Sequence, residues 1–146
     1  MTEAEERAAV VAAARGWIGT PFHDGAALKG VGVDCAQLVR AVALETGLRA
    51  AVEPTGGYSS QWMLHRDDDR LVRFVLRYTR EIEAGESREG DLVIYRVGRA
   101  FAHVAIISGP ARIVHAHKTS GMVVEGSIDG WDLGERERRY FSPWGA

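Results

Sequence analysis

The apolar residues of this chain follow one period up to Ile82 and another from Asp91 onward, and that change restricts the fold more than any other feature. In the first half the spacing is helical. Val10, Ala14, Trp17 and Ile18 fall at i, i+4, i+7 and i+8, one face of a helix, and Thr2 with Glu5 reads as a capping box ahead of them. Gly19 and Pro21 are expected to end that helix. Asp34 suits the N-cap of a second helix running from Cys35 to about Thr46, stopped by Gly47. A third is expected from Asp67, with Leu71, Val75, Tyr78 and Ile82 on one face. Its acidic start, Asp67 to Asp69, suits the positive end of a helix dipole better than a metal site. From Asp91 the segments DLVIYRV, AHVAIIS, RIVHAH and MVVEG are short, rich in β-branched residues and separated by Gly, Pro or Ser. They read as strands of one antiparallel sheet. Helices first and strands later give an α+β class, and 146 residues without repeats or linkers are read as one domain, 1–146.

Net charge is −2, which argues against a nucleic-acid partner or an anionic membrane surface. No apolar run reaches membrane-spanning length, so no membrane insertion is expected. The N-terminus, MTEAEERAAVVAAARG, lacks the basic flank, apolar stretch and cleavage site of a signal peptide. The chain is therefore expected to be synthesised in the cytoplasm and carried elsewhere by something else.

One cysteine excludes an internal disulfide and an all-cysteine zinc cage. A lone cysteine is ordinarily a small buried hydrophobe. Cys35, however, follows a glycine-rich loop and starts a helix, where unpaired backbone N–H groups could hold a developing oxyanion. A helix N-terminus stabilises an anion by roughly 0.3–1 kcal/mol, less than about one pKa unit, so a stable thiolate needs a histidine as well.

The histidines that could serve lie in AHVAIISGPARIVHAH, which reads as a hairpin turning near Gly109 and Pro110. Residues opposed across an antiparallel pair share a face. A two-residue turn would set His103 opposite Ala116 and turn both later histidines away. A three-residue turn pairs His103 with His115, and a five-residue turn pairs it with His117. Cooperation between these rings therefore requires an odd turn. His65 and His23 read as surface residues, although His23 could border a cleft. A metal held by His103, His115, His117 and Cys35 ranks low, since nothing else has ligand spacing. Tyr58, Trp62, Trp131 and Trp144 could line a groove, but ordinary core or edge positions are the simpler reading of each.

DCAQLV resembles the Asp-Cys-Ser-Gly-Leu-Val signature of the NlpC-type (NlpC/P60) cell-wall peptidases. GDLVIY resembles their Gly-Asp-Leu-Val strand, and HVAIISGPARIVHA is similar to the strand pair carrying their second and third catalytic residues. The step from His103 to His115 matches the family's spacing, which favours His115 over His117 and the three-residue register. GTPFHDGAALKGVGVDC, WMLHRDDDRLVRFV, HKTSGMVVEGSIDG and RERRYFSPWG resemble the phage-tail and gene-transfer-agent branch. The resemblance implies a papain-like α+β fold, an antiparallel sheet packed against N-terminal helices with Cys35 at a helix N-terminus. It implies a Cys-His-His thiol hydrolase of Cys35, His103 and His115, with no metal or cofactor. The implied substrate is the peptidoglycan stem peptide, cut next to D-glutamyl, and the implied partners are proteins of a phage tail or tail-like particle. The alternative is a structural component of a tail tip that keeps the fold with weak or no activity. Two departures motivate it: Ala36-Gln37 stands where the family has Ser-Gly, with Gln37 expected to narrow the cleft, and Phe22 stands where it has tyrosine.

Overall fold

The structure, a computed structural model, describes residues 1–48 and 70–145. Three helices are present among them: α1 (Glu3–Arg15), α2 (Cys35–Thr46) and α3 (Arg70–Leu76). A two-stranded ribbon, β1 (Ala27–Leu28) and β2 (Gly32–Val33), precedes α2. The main sheet is built from β3 (Arg80–Ile82), β4 (Leu92–Val97), β5 (Ala100–Gly109), β6 (Arg112–His117), β7 (Met122–Ser127) and β8 (Arg138–Ser142). Its order is β3-β8-β4-β5-β6-β7, with every pair antiparallel. This is the α+β arrangement of helices on an antiparallel sheet.

Local capping chemistry accounts for the helix starts. Thr2 and Glu5 form the reciprocal capping box, with Glu5 N donating to Thr2 Oγ1 at 3.1 Å and Thr2 N to Glu5 Oε1 at 2.9 Å. Asp34 caps α2, and Gly47 ends it in the left-handed conformation at φ 72°. The expected end of α1 is corrected. The helix stops at Arg15, and residues 16–20 unwind through tighter turns: Trp17 N donates to Ala14 O, Ile18 N to Arg15 O and Thr20 N to Trp17 O. Trp17 still reaches the core, whereas Ile18 is 46 % exposed.

The third helix is also shorter than its apolar spacing implies. Leu71, Val72 and Val75 are buried, but Tyr78 lies past the end and Ile82 is in β3, paired with Tyr140 of β8. A long-range strand pairing thus overrides a local 3.6-residue pattern. Asp67 to Asp69, Tyr58, Trp62, His65 and the expected loop over 50–61 lie outside the described residues.

Alternation along the strands divides the core. Leu92, Ile94, Ala102, Val104, Ile106, Val114, Ala116 and Phe141 face the helices together with Val10, Leu38, Val42 and Val75. Val93, Tyr95, Ala105, Ile107 and Ile113 point the other way and are covered by Leu133 and Ile128 from the loop before β8. The Gly-Asp turn ahead of β4 fastens α1 to this frame. Arg7 Nη1 donates to Asp91 Oδ1 at 3.0 Å and to Glu89 O at 2.8 Å, and the guanidinium lies 4.2 Å from the Trp144 ring centroid. Arg7 and Asp91 side chains are 5 % and 1 % exposed. Gly90, at φ 90°, leaves room for that indole, since a Cβ there would sit 2.8 Å from Trp144 Cη2. Asp91→Ala leaves the buried guanidinium with the half-exposed Glu3 carboxylate as counter-charge, 2.9 Å from its Nε, and should destabilise the fold by about 3 kcal/mol. A urea unfolding curve checks this, and an unchanged midpoint would contradict it.

Candidate functional site

Cys35 is the first residue of α2, so the helix cap fixes where its sulfur begins. Asp34 Oδ1 accepts from Gln37 N at 2.9 Å, and Oδ2 accepts from Gly25 N at 2.8 Å. One carboxylate therefore holds both the helix start and the loop in front of it. That carboxylate is fully buried, and burial raises its pKa. Cys35 is 4 % exposed, and its thiol donates to Ala102 O at 3.9 Å.

The histidines arrive from the other side of the sheet. His103 pairs in register with Tyr95, whose side chain belongs to the cluster facing away from the helices. At the next step the β4–β5 register shifts, and Arg96 opposes Phe101. The shift leaves Ala102 without a partner on β4, next to His103. Phe22, Cys35, Ala102, His103, His117, Lys118, Thr119, Asp132, Leu133 and Arg136 line one cavity of about 200 Å³ there. The thiol reaches it from the helical layer and the imidazole from the sheet.

The hairpin corrects the expected three-residue register. Ile107 pairs with Ile113 and Ile106 with Val114, the register that sets His103 opposite His117. The turn itself spans only Pro110 and Ala111, between paired Gly109 and Arg112, and the extra residue is a bulge at Ser108. The bulge restores the odd parity that an even turn would destroy, and Ala111 enters the left-handed region at φ 54°. His115 lies diagonally across from His103, and the rings still meet. His103 Nε2 and His115 Nδ1 are 2.7 Å apart, with ring centroids at 5.0 Å.

That contact engages Nε2 of His103 and leaves Nδ1 as the nitrogen able to exchange a proton. If Nδ1 is to accept one, the neutral ring carries its hydrogen on Nε2 and donates it to His115 Nδ1. His115 is fully buried, and its own Nε2 has no hydrogen-bond partner among the described residues. Burial holds both rings neutral: His103 is pushed down to about 4 and His115 to about 2, each also opposed by neighbouring histidines. The same effect acts on the sulfur. Burial, then the adjacent Asp34 carboxylate, push the Cys35 thiol up to about 12. Burial therefore disfavours the charged form of both the thiol and the imidazole, against the small opposing pull of the helix dipole.

Other sequence-derived candidates separate clearly. His117 is buried in the cavity wall, with Nδ1 2.7 Å from Ser120 Oγ and Nε2 3.7 Å from Asp132 Oδ1. His23 is exposed and forms no part of the wall. Gln37 is buried at the helix start and is not among the residues lining the cavity, whereas Phe22 lines it. Trp144 is a core residue. Trp131 packs on His115 and His117. No motif or spacing marks Asp132, Leu133 and Arg136 as cavity residues. They come from a loop whose only local signal is turn-forming glycine, and a strand order far from sequence order brings it to the site. Among the described residues no group of three or more His, Cys, Asp or Glu converges in a way that could hold a metal ion. Asp34→Asn keeps one acceptor, loses the other and removes a negative charge beside the thiol. It should melt earlier, by about 1–2 kcal/mol, yet react faster with iodoacetamide at pH 8. Slower alkylation would contradict the electrostatic part.

A helix-start thiol and His103, itself bonded to His115, meet at one cavity between a helical layer and an antiparallel sheet. The family model described as "NlpC/P60 family" matches residues 19–136, and the chain belongs to that family. No curated protein matches it. Among solved structures, the NlpC/p60 domain of the peptidoglycan hydrolase SagA is similar at 24 % identity, covering 91 % of this chain and 96 % of that one, with TM-score 0.65. The peptidoglycan hydrolase RipB from Mycobacterium tuberculosis is similar at 18 % identity, over 98 % of this chain and 68 % of that one, with TM-score 0.66. RipD from the same organism, described as a non-catalytic NlpC/p60 domain protein adapted to peptidoglycan binding, is similar at 15 % identity, over 94 % and 96 %, with TM-score 0.59. The fold is thus that of NlpC/P60 peptidoglycan hydrolases. No helix among the described residues is long and apolar enough to cross a membrane.

Proposed function

We propose that this protein is a cysteine peptidase that hydrolyses amide bonds in peptidoglycan stem peptides, with Cys35, His103 and His115 as its catalytic residues. The observation that carries the reading is the shared cavity: Cys35 and His103 line it together, and His115 holds the far nitrogen of His103 at 2.7 Å. As Sγ attacks the amide carbonyl carbon, His103 Nδ1 takes the thiol proton. The backbone N–H of Cys35 supports the oxyanion of the tetrahedral intermediate. His103 then passes that proton to the leaving amine, and the carbon–nitrogen bond breaks to leave a thioester. Water, deprotonated by the same nitrogen, releases the carboxylate and restores the thiol. His115 fixes the tautomer throughout. With burial favouring the neutral thiol, proton transfer accompanies attack rather than preceding it.

Cleavage next to D-glutamyl, and carriage on a phage tail or tail-like particle, extend the proposal. The first rests on the resemblance of DCAQLV, GDLVIY and HVAIISGPARIVHA to the family, the second on that of the stretches around Cys35, Lys118 and Tyr140 to its phage-tail and gene-transfer-agent branch. The purified protein on defined muropeptides tests the reading: one new amine should appear per cleavage, located by mass spectrometry. Binding without any new amine would favour a non-catalytic wall-binding or structural role of the kind RipD's description states for that protein.

A further inference from the structure

Trp131 does not line the cavity, yet its ring is the closest to the buried imidazole. Its centroid lies 4.5 Å from His115 and 5.3 Å from His117, whereas the histidines stand 5.0 Å or more from one another. Three features show that the position is built rather than incidental. Trp131 sits in the left-handed region at φ 56°, a costly conformation for a bulky side chain. Gly126 on β7 makes room for it, since a Cβ there would lie 2.8 Å from Trp131 Cη2 and 3.3 Å from Cζ2. In contact with it, His115 keeps a buried Nε2 that has no partner among the described residues and that a water molecule would satisfy if admitted. The indole is 44 % exposed, so it stands between that ring and solvent.

We infer that Trp131 is a positioning residue: its indole clamps His115 against His103 and keeps water from His115 Nε2. The inference rests on the reading of His103 and His115 as a working pair. With the indole removed, water reaches Nε2 and the ring can accept a second proton. A doubly protonated His115 has no lone pair on Nδ1, so it cannot accept from His103 Nε2, and the 2.7 Å bond that sets the tautomer is lost. The groups facing His115 are His103 from β5, His117 from its own strand and Asp132 from the Trp131 loop; the first two oppose its protonation and the third favours it. On β7, Val124 stands opposite, and Glu125 is bonded to Arg15.

The test follows histidine ring C–H signals by NMR against pH in a Cys35→Ala background, so the readout needs no hydrolysis. With Trp131 present, His115 should stay neutral below pH 5. In Trp131→Ala its titration should move up by about two units or more, and Trp131→Phe should restore most of the original behaviour. Gly126→Ala, which pushes on the indole without deleting it, should give an intermediate shift and serves if Trp131→Ala does not fold. With Cys35 intact, Trp131→Ala should lower kcat by about tenfold or more with little change in KM, and the acid limb of the profile should rise. An unmoved His115 titration in a folded Trp131→Ala or Gly126→Ala variant overturns the inference, even if muropeptides are cleaved. A moved titration in a protein that cleaves nothing upholds the clamp and removes the peptidase reading instead.

Discussion

Cys35→Ala and His103→Ala should each reduce muropeptide hydrolysis by at least about four orders of magnitude, and the double variant should lose no more than either alone. The thiol and the imidazole act in one proton transfer, so removing either removes the step. Alkylation separates this unit from a preformed ion pair. With the thiol near 12 and His103 near 4, the iodoacetamide rate should climb about tenfold per pH unit from pH 6 to 9. A plateau between pH 5 and 8 would mean that the resting site is thiolate and imidazolium. Additive losses in the double variant would mean that the two residues work separately.

Acidification should unfold the protein well before its carboxylates are exhausted. In the native state His103 and His115 are held at about 4 and about 2, while an exposed imidazole titrates near 6.5. Above pH 6.5 neither state binds these protons, and the stabilising contribution is complete. Between pH 6.5 and 4 the unfolded chain takes up two protons that the native chain refuses, so stability falls with pH. Each ring contributes roughly 1 kcal/mol per pH unit, several kcal/mol in total by pH 4. Urea midpoints at pH 7, 5.5 and 4 measure the slope. His115→Gln, which cannot titrate, should flatten it by about half; an equally steep curve in that variant would assign the acid sensitivity elsewhere.

What the sequence discloses is whatever neighbouring residues decide. Asp34 and Gly47 bound α2 at its observed ends because caps act over three or four residues, and Thr2 with Glu5 starts α1 for the same reason. What it conceals is decided across the chain. Ile82 continues a helical spacing but sits in a strand because β8 pairs with it, and β8 itself, RRYFS, hides its alternation behind arginines. Cys35, His103 and His115 stand out by residue type; Cys35 and His103 line one cavity, and His115 bonds to His103. Their geometry rests on a bulge at Ser108 that no local rule announces, and that bulge replaces the expected turn length. The Asp132 to Arg136 side of the cavity comes from the connection between β7 and β8, strands that are consecutive in sequence but far apart in the sheet.

The aromatic cover on Arg7 has a consequence for handling the protein. Trp144 N donates to Ser142 Oγ and Nε1 to Glu6 Oε1, so the last turn of chain seals the guanidinium between the first helix and the Gly-Asp corner. A nick or a bulky fusion just before that indole would wet a charge whose partner carboxylate stays dry. Damage there would appear as a loosened scaffold rather than a lost tail, and slow turnover in such a preparation would say nothing about the sulfur.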